Sequence, residues 1–195
     1  MTTIAIDIHG NVAVDGLVTE GRNSTIDGDY KKFSIIDDLL ILNVGDSGKF
    51  LPLLEIFKDF KIDMIDSFWE RYFLSGTYSK LFTNSCKLII YNPKTKTVLE
   101  FYKSTEIVTY HKHDLPIAFG AGYRTAFGIL ALNLPSEHAV LAASIMNQCT
   151  GGSIYHFDFY SRNGDMVEPS NLLPSDISAI KDLDFTNYGN KYKSL

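Results

Sequence analysis

Cysteine is scarce: Cys86 and Cys149 are the two thiols in 195 residues. Two cysteines make no disulfide framework of the kind that staples small secreted domains, and they fit a reducing compartment. No apolar run approaches the roughly 18 residues of a membrane-spanning helix. The opening MTTIAIDIHG lacks the basic region and long apolar stretch of a secretion leader. Basic residues are outnumbered, 18 Lys and Arg against 23 Asp and Glu, and the formal net charge is −5. A polyanion or an anionic membrane surface needs a basic face, so this balance argues against both as partners. The expectation is a cytoplasmic protein with no nucleic-acid and no membrane partner.

What is present is the balance of one compact domain, 45% hydrophobic and 21% charged. Residues 3–8 alternate and are β-branched; Gly10-Asn11 then leads into Val12-Ala13-Val14-Asp15, which predicts two strands joined by a tight turn. The polar stretch 20–29 reads as a loop. Strands are expected again over 32–36 and 39–44. Asp46 and Ser47 then offer caps for a helix with Phe50, Leu53, Leu54 and Phe57 at helical spacing, and Pro52 is tolerated in its first turn. A second helical segment is expected over 63–81, with its aromatics, Trp69, Tyr72 and Phe73 among them, in core or subunit contact.

Asn92-Pro93-Lys94-Thr95 is a hairpin signal between strands 87–91 and 98–102. Further strands are read at 106–110 and 116–119, and helices at 123–132 and from Pro135 onward. The second of these carries Ala139, Val140, Ala143 and Met146 on one face, Gly151-Gly152 stops it, and a strand follows over 153–160. The order is strands, two helices, strands, two helices, strands. Two antiparallel sheets stacked face to face, each covered by a helix pair, bury all of these faces: an α+β, four-layer αββα sandwich. The domain is expected to span 1–170. Residues 171–195 form a polar extension with a short helix at 176–183 and a disordered end at 187–195.

A threonine hydroxyl is a weak nucleophile unless a base takes its proton. When threonine is the first residue its own α-amino group, titratable near neutrality, can do so. Thr2 follows Met1 directly and stands at a strand end, so loss of Met1 creates such a residue. Taken singly, Asp15 before Gly16 is also a good turn residue, and Lys31-Lys32 is also an ordinary solvated pair.

The order Thr2, Val12-Ala13-Val14-Asp15-Gly16, Thr19-Glu20-Gly21 and Gly28-Asp29-Tyr30-Lys31-Lys32 resembles the opening of the proteasome β-subunit and bacterial HslV-like family of N-terminal-nucleophile hydrolases. Val44-Gly45-Asp46 before the first helix, Ile117 to Gly122, and Asn147 with Thr150-Gly151-Gly152 extend the likeness over roughly residues 2 to 160. The resemblance implies a threonine endopeptidase with Thr2 as nucleophile, Lys32 favouring the deprotonated hydroxyl and Asp15 holding Lys32 charged. It implies homo-oligomeric rings fed with unfolded polypeptide by an ATP-driven unfoldase, with neither cofactor nor metal.

The sequence departs from the family pattern where Ala121 replaces a serine and Asn147 an aspartate. Thr150 keeps a neighbouring hydroxyl, and Leu42 stands where the glycine of the oxyanion site is expected. These departures favour one alternative, a catalytically impaired or inactive assembly subunit; an amidase on a small molecule, with the same nucleophile, is a second. Gly45-Asp46-Ser47-Gly48-Lys49 is too short between its glycines for a phosphate loop. His111-Lys112-His113 has no cysteine or HExxH context for a metal, and Ser153 with His156 lacks a nucleophile elbow.

Overall fold

The computed structural model describes residues 2–20, 24–57, 86–102, 106–175 and 177. Two five-stranded sheets dominate it. The first has the order β10 (Ile117–Gly120), β1 (Thr3–Ile6), β2 (Val12–Asp15), β11 (Ile154–Phe157) and β12 (Ser170–Leu172), antiparallel throughout. The second is a meander of β5 (Phe33–Ile36), β6 (Leu39–Gly45), β7 (Cys86–Asn92), β8 (Thr97–Tyr102) and β9 (Glu106–Tyr110). The expected hairpins 3–15 and 87–102 are both present, the second turned by Asn92, whose side chain accepts from the Lys94 and Thr95 amides.

Alternation along the strands explains why the sheets stack. Ile4, Ile6, Val12 and Val14 face Leu40, Leu42, Val44, Ile89 and Tyr91 across one buried core, completed by Phe157 and Phe159. The intervening Ala5 and Ala13 face outward against Ala126, Leu130, Ala139, Val140 and Ala143 of helices α2 (Tyr123–Leu130) and α3 (Ser136–Met146). Small residues on both sides let these helices approach the sheet closely. On the far side, Ile41, Leu88, Ile90 and Phe101 pack against Phe50, Leu53 and Phe57 of α1 (Phe50–Phe57). Sheets covered on both faces read as continuous apolar runs, as β1 and β2 do.

Several boundaries move. The expected loop 20–29 takes part in a two-stranded sheet, β3 (Val18–Glu20) with β4 (Ser24–Asp27), whose Val18, Thr19, Thr25 and Ile26 have strand propensity where the composition of 20–29 suggested turns. The strand expected to reach 160 stops at Phe157, and a turn follows in which the Asp158 carboxylate accepts from the Ser161 amide. Met146, expected on the buried face of its helix, is 75% exposed at the last turn. β12 pairs with β11 at the edge of the first sheet, and Ile177 is buried against the α2–α3 layer. The predicted helix 63–81 with its aromatics, most of the predicted helix 176–183 and the end at 187–195 lie outside the described residues.

Gly152 joins the two halves of the first sheet's site edge. Its φ of +70° is left-handed, and a Cβ there would collide with the Gly28 carbonyl. That carbonyl accepts from the Ser153 amide at 2.7 Å, and the Ser153 carbonyl accepts from the Gly16 amide at 2.7 Å. Gly152→Ala is expected to cost about 2 kcal/mol or more in urea unfolding, whereas Gly128→Ala, facing open space on α2, should be neutral or stabilising.

Candidate active site

The start of β1 lies between the end of β2 and the turn after β10, so three segments distant in sequence meet at Thr2 and Thr3. Gly120 pairs with Thr3, and its φ of +91° turns the chain so that the Ala121 amide donates to the Thr2 carbonyl at 2.7 Å. A Cβ on Gly120 would occupy the position of that carbonyl oxygen. The next amide, Gly122, donates to Thr3 Oγ1 at 2.9 Å, and Thr3 Oγ1 lies 2.6 Å from Thr150 Oγ1. The threonine doublet is thereby fixed along one side of its backbone.

Asp15 ends β2 and is fully buried. Its Oδ1 accepts from the Thr3 amide at 2.6 Å. Its Oδ2 accepts from Lys32 Nζ at 3.0 Å and from the Gly151 amide at 3.3 Å. Lys32, 2% exposed, is carried by a tethered approach: Tyr30 N–H donates to the Gly16 carbonyl, and the Tyr155 hydroxyl donates to Asp29. Just past Lys32, β5 begins, and the Lys32 carbonyl accepts from the Asn43 amide at 2.8 Å.

The electrostatics follow from burial. Removal from water pushes the Asp15 carboxyl above its ordinary value, opposed by the Lys32 charge and the Thr3 amide. Burial likewise pushes the Lys32 ammonium below its ordinary value, opposed by Asp15. Each charge is tolerated because the other is present.

Thr2 is fully buried, and among the described residues its Oγ1 has no hydrogen-bond partner. Thr2 and Lys32 both line a cavity of about 1010 Å³ between the sheets, together with Val18, Thr19, the 44–47 segment and the 117–121 segment. An unpartnered hydroxyl, an ammonium and backbone amides at one cavity wall are the components of an activated nucleophile and an anion-stabilising site.

Thr2, Asp15 and Lys32 are therefore adjacent in the structure. Ala121 and Thr150 are also at the site, the first through its amide and the second through its hydroxyl. Asn147 reaches it indirectly: its Nδ2 donates to the Ala121 carbonyl at 2.9 Å, and its Oδ1 accepts from the Cys149 amide at 2.9 Å. Leu42 stands apart. It pairs with Phe33 and Ile89, and its side chain is fully buried in the inter-sheet core, while Val44, Gly45, Asp46 and Ser47 line the cavity. Leu42 and Val44 share one face of β6, and Leu42 lies two residues further from the cavity end of the strand.

Thr3 and Gly151 were not singled out as site residues. The Thr-Thr doublet and the Gly-Gly pair after Thr150 were the available signals. Asp46, once considered in a phosphate loop, caps the Gly48 amide at 3.0 Å. His111 and His113 stack with ring centroids 5.8 Å apart.

With its two stacked antiparallel sheets and their covering helices, the chain has the fold of the proteasome and HslV-like structures. It is similar to BPH of Thiobacillus denitrificans in complex with epoxomicin, at 19% identity and a TM-score of 0.61, covering 80% of this chain and 97% of that one. It is likewise similar to HslV from Trypanosoma brucei, at 16% identity and a TM-score of 0.63, covering 80% of this chain and 98% of that one. No protein-family profile and no curated protein sequence matches. Among the described residues, no helix is long and apolar enough to cross a membrane.

The buried pair makes a signed prediction. Lys32→Met leaves Asp15 buried without its cation, so unfolding stability should fall by about 3–5 kcal/mol near neutral pH. Without Lys32 the Asp15 carboxyl rises further above its unfolded value. A raised carboxyl destabilises the folded state as pH climbs through that value, so the variant's deficit should shrink on acidification towards pH 4. Asp15→Asn combined with Lys32→Met should remove this pH dependence, as measured by denaturant unfolding across pH.

Proposed function

We propose that this chain is a threonine-type peptidase subunit, active once Met1 is removed. The observation that carries the reading is the Asp15 carboxylate, which holds the Thr3 amide and Lys32 Nζ at once and so ties the Thr2 segment to a buried cation. In this mechanism the freed Thr2 amine takes the hydroxyl proton as Oγ1 bonds to the scissile carbonyl carbon. Lys32 favours the developing alkoxide electrostatically. Backbone N–H groups of the cavity-lining 44–46 segment take the tetrahedral oxyanion.

Collapse of that intermediate breaks the C–N bond, and the proton passes from the ammonium to the leaving amine. The ester left on Thr2 is then hydrolysed by water activated by the same amine. A cleft of this volume accommodates several residues of an extended chain. We further propose homo-oligomeric rings in the cytoplasm, unfolded polypeptide as substrate and an ATP-driven unfoldase as partner. The domain proposed is 1–170, with 171–195 as an extension.

A second reading, an assembly subunit with impaired chemistry, is favoured by two neutral side chains. Ala121 supplies a methyl group, and Asn147 an amide, so neither adds a hydroxyl or a charge beside the Thr2 amine. Their backbone and amide bonds nevertheless keep the segment in place.

Intact mass and peptide hydrolysis separate the readings. The peptidase reading expects a mature chain beginning at Thr2, with turnover of unfolded casein that falls at least about a thousandfold in Thr2→Ala while the assembly's sedimentation is unchanged. Met1 retained in the mature assembly, with no turnover, would establish the assembly-subunit reading instead.

A further inference from the structure

The second sheet turns an otherwise apolar face into the inter-sheet core, and three polar residues interrupt it at one end. Side-chain alternation puts Lys87 on the face of Ile89 and Tyr91, and Glu100 on the face of Val98. Glu100 lies opposite Ile89 on one side and Val108 on the other, so Lys87 and Tyr110 are its diagonal neighbours. Lys87 Nζ is 2.7 Å from Glu100 Oε1, and the Tyr110 hydroxyl donates to Glu100 Oε2 at 2.8 Å. Lys87, Glu100 and Tyr110 all line the cavity that Thr2 lines. The Tyr110 ring also meets Phe119 edge-on at 5.9 Å, which fixes the row against the opposite sheet.

This row is a poor device for stability alone. Glu100 is only 7% exposed but the Lys87 side chain is 33% exposed, and a part-buried ion pair of this kind adds little stability beyond its desolvation cost. Its consequence for an occupant of the cavity is definite. An aliphatic side chain laid against the row strips water from the part-exposed Lys87 ammonium and Tyr110 hydroxyl and returns no hydrogen bond. An acidic group meets Glu100 beside Lys87, and a basic group meets Lys87 beside Glu100, so a charged occupant gains one attraction and one repulsion. A neutral carboxamide, with two donors and an acceptor, can join the row without either penalty. Burial and the Glu100 carboxylate push the Tyr110 phenol up to about 12, which keeps it protonated through the physiological range.

We infer that the Lys87–Glu100–Tyr110 row is a specificity wall that selects peptide segments bearing a carboxamide side chain, glutamine or asparagine, over aliphatic ones. The inference rests on the peptide-groove reading of this cavity; it does not require that the bound peptide be cleaved.

Two labelled hexapeptides test it, one with a central glutamine and one with a central leucine in an otherwise Gly/Ala sequence, so that the single long side chain finds the wall. Binding to the full chain is read by fluorescence anisotropy, and cleavage is read in parallel. The glutamine peptide should bind about tenfold more tightly. Lys87→Leu with Glu100→Leu should reverse the preference, with circular dichroism and thermal unfolding establishing that the variant is folded. Tyr110→Phe, which removes one hydroxyl, should weaken the glutamine peptide a few-fold and leave the leucine peptide unchanged. Equal affinities in the unmodified protein, a ratio unmoved by both variants, or no binding of either peptide would overturn the inference. A glutamine preference without turnover supports the wall while refuting the peptidase; cleavage without preference does the reverse.

Discussion

The structure depends on a carboxylate that has been taken out of water and given three donors. Asp15 receives the Thr3 amide, Lys32 Nζ and the Gly151 amide, and these come from three different parts of the chain. Removal of any one of them leaves a buried charge undersatisfied, so the local geometry is held cooperatively. The strand start, the lysine approach and the turn after α3 are each placed by what Asp15 requires. The stacked sheets supply the low-dielectric setting that makes the requirement strict.

Around this centre the protein relies on backbone groups where side chains are neutral. Amides of Ala121 and Gly122 hold Thr2 and Thr3, and Asn147 braces the Ala121 carbonyl. Position is thus preserved with neutral side chains at 121 and 147. Hydroxyl contact between Thr3 and Thr150 adds a further tie from β1 to the loop after α3. The arrangement fixes the backbone around Thr2 and, among the described residues, leaves its Oγ1 without a hydrogen-bond partner, as the proposed nucleophile role requires.

Much of this was legible in the residues. The alternation of Ile4, Ala5 and Ile6 marks a strand buried on both faces, and Asn92-Pro93 marks a hairpin. Thr2, Asp15 and Lys32 stand out by their order, since each ends or precedes a recognisable strand, and the Asp15 carboxylate joins the Thr3 amide to Lys32. What escaped was set by tertiary context. The β3–β4 ribbon lies in a stretch whose Gly, Asn, Ser and Asp content reads as turns. Leu42 and Val44 share one face of β6, so alternation does not separate them; what places Val44 and not Leu42 on the cavity is position along the strand. The row at Lys87, Glu100 and Tyr110 is spread over three strands, and only diagonal pairing brings it together.

The most direct measurement of the central claim is the site of covalent acylation. The chain lacking Met1 is mixed with an activated peptide ester, quenched early and digested for tandem mass spectrometry. The account predicts a single acyl adduct on Thr2 that disappears with turnover, and its absence from Lys32→Met under the same conditions. An adduct on another residue, or none on a chain proven to begin at Thr2, would contradict it.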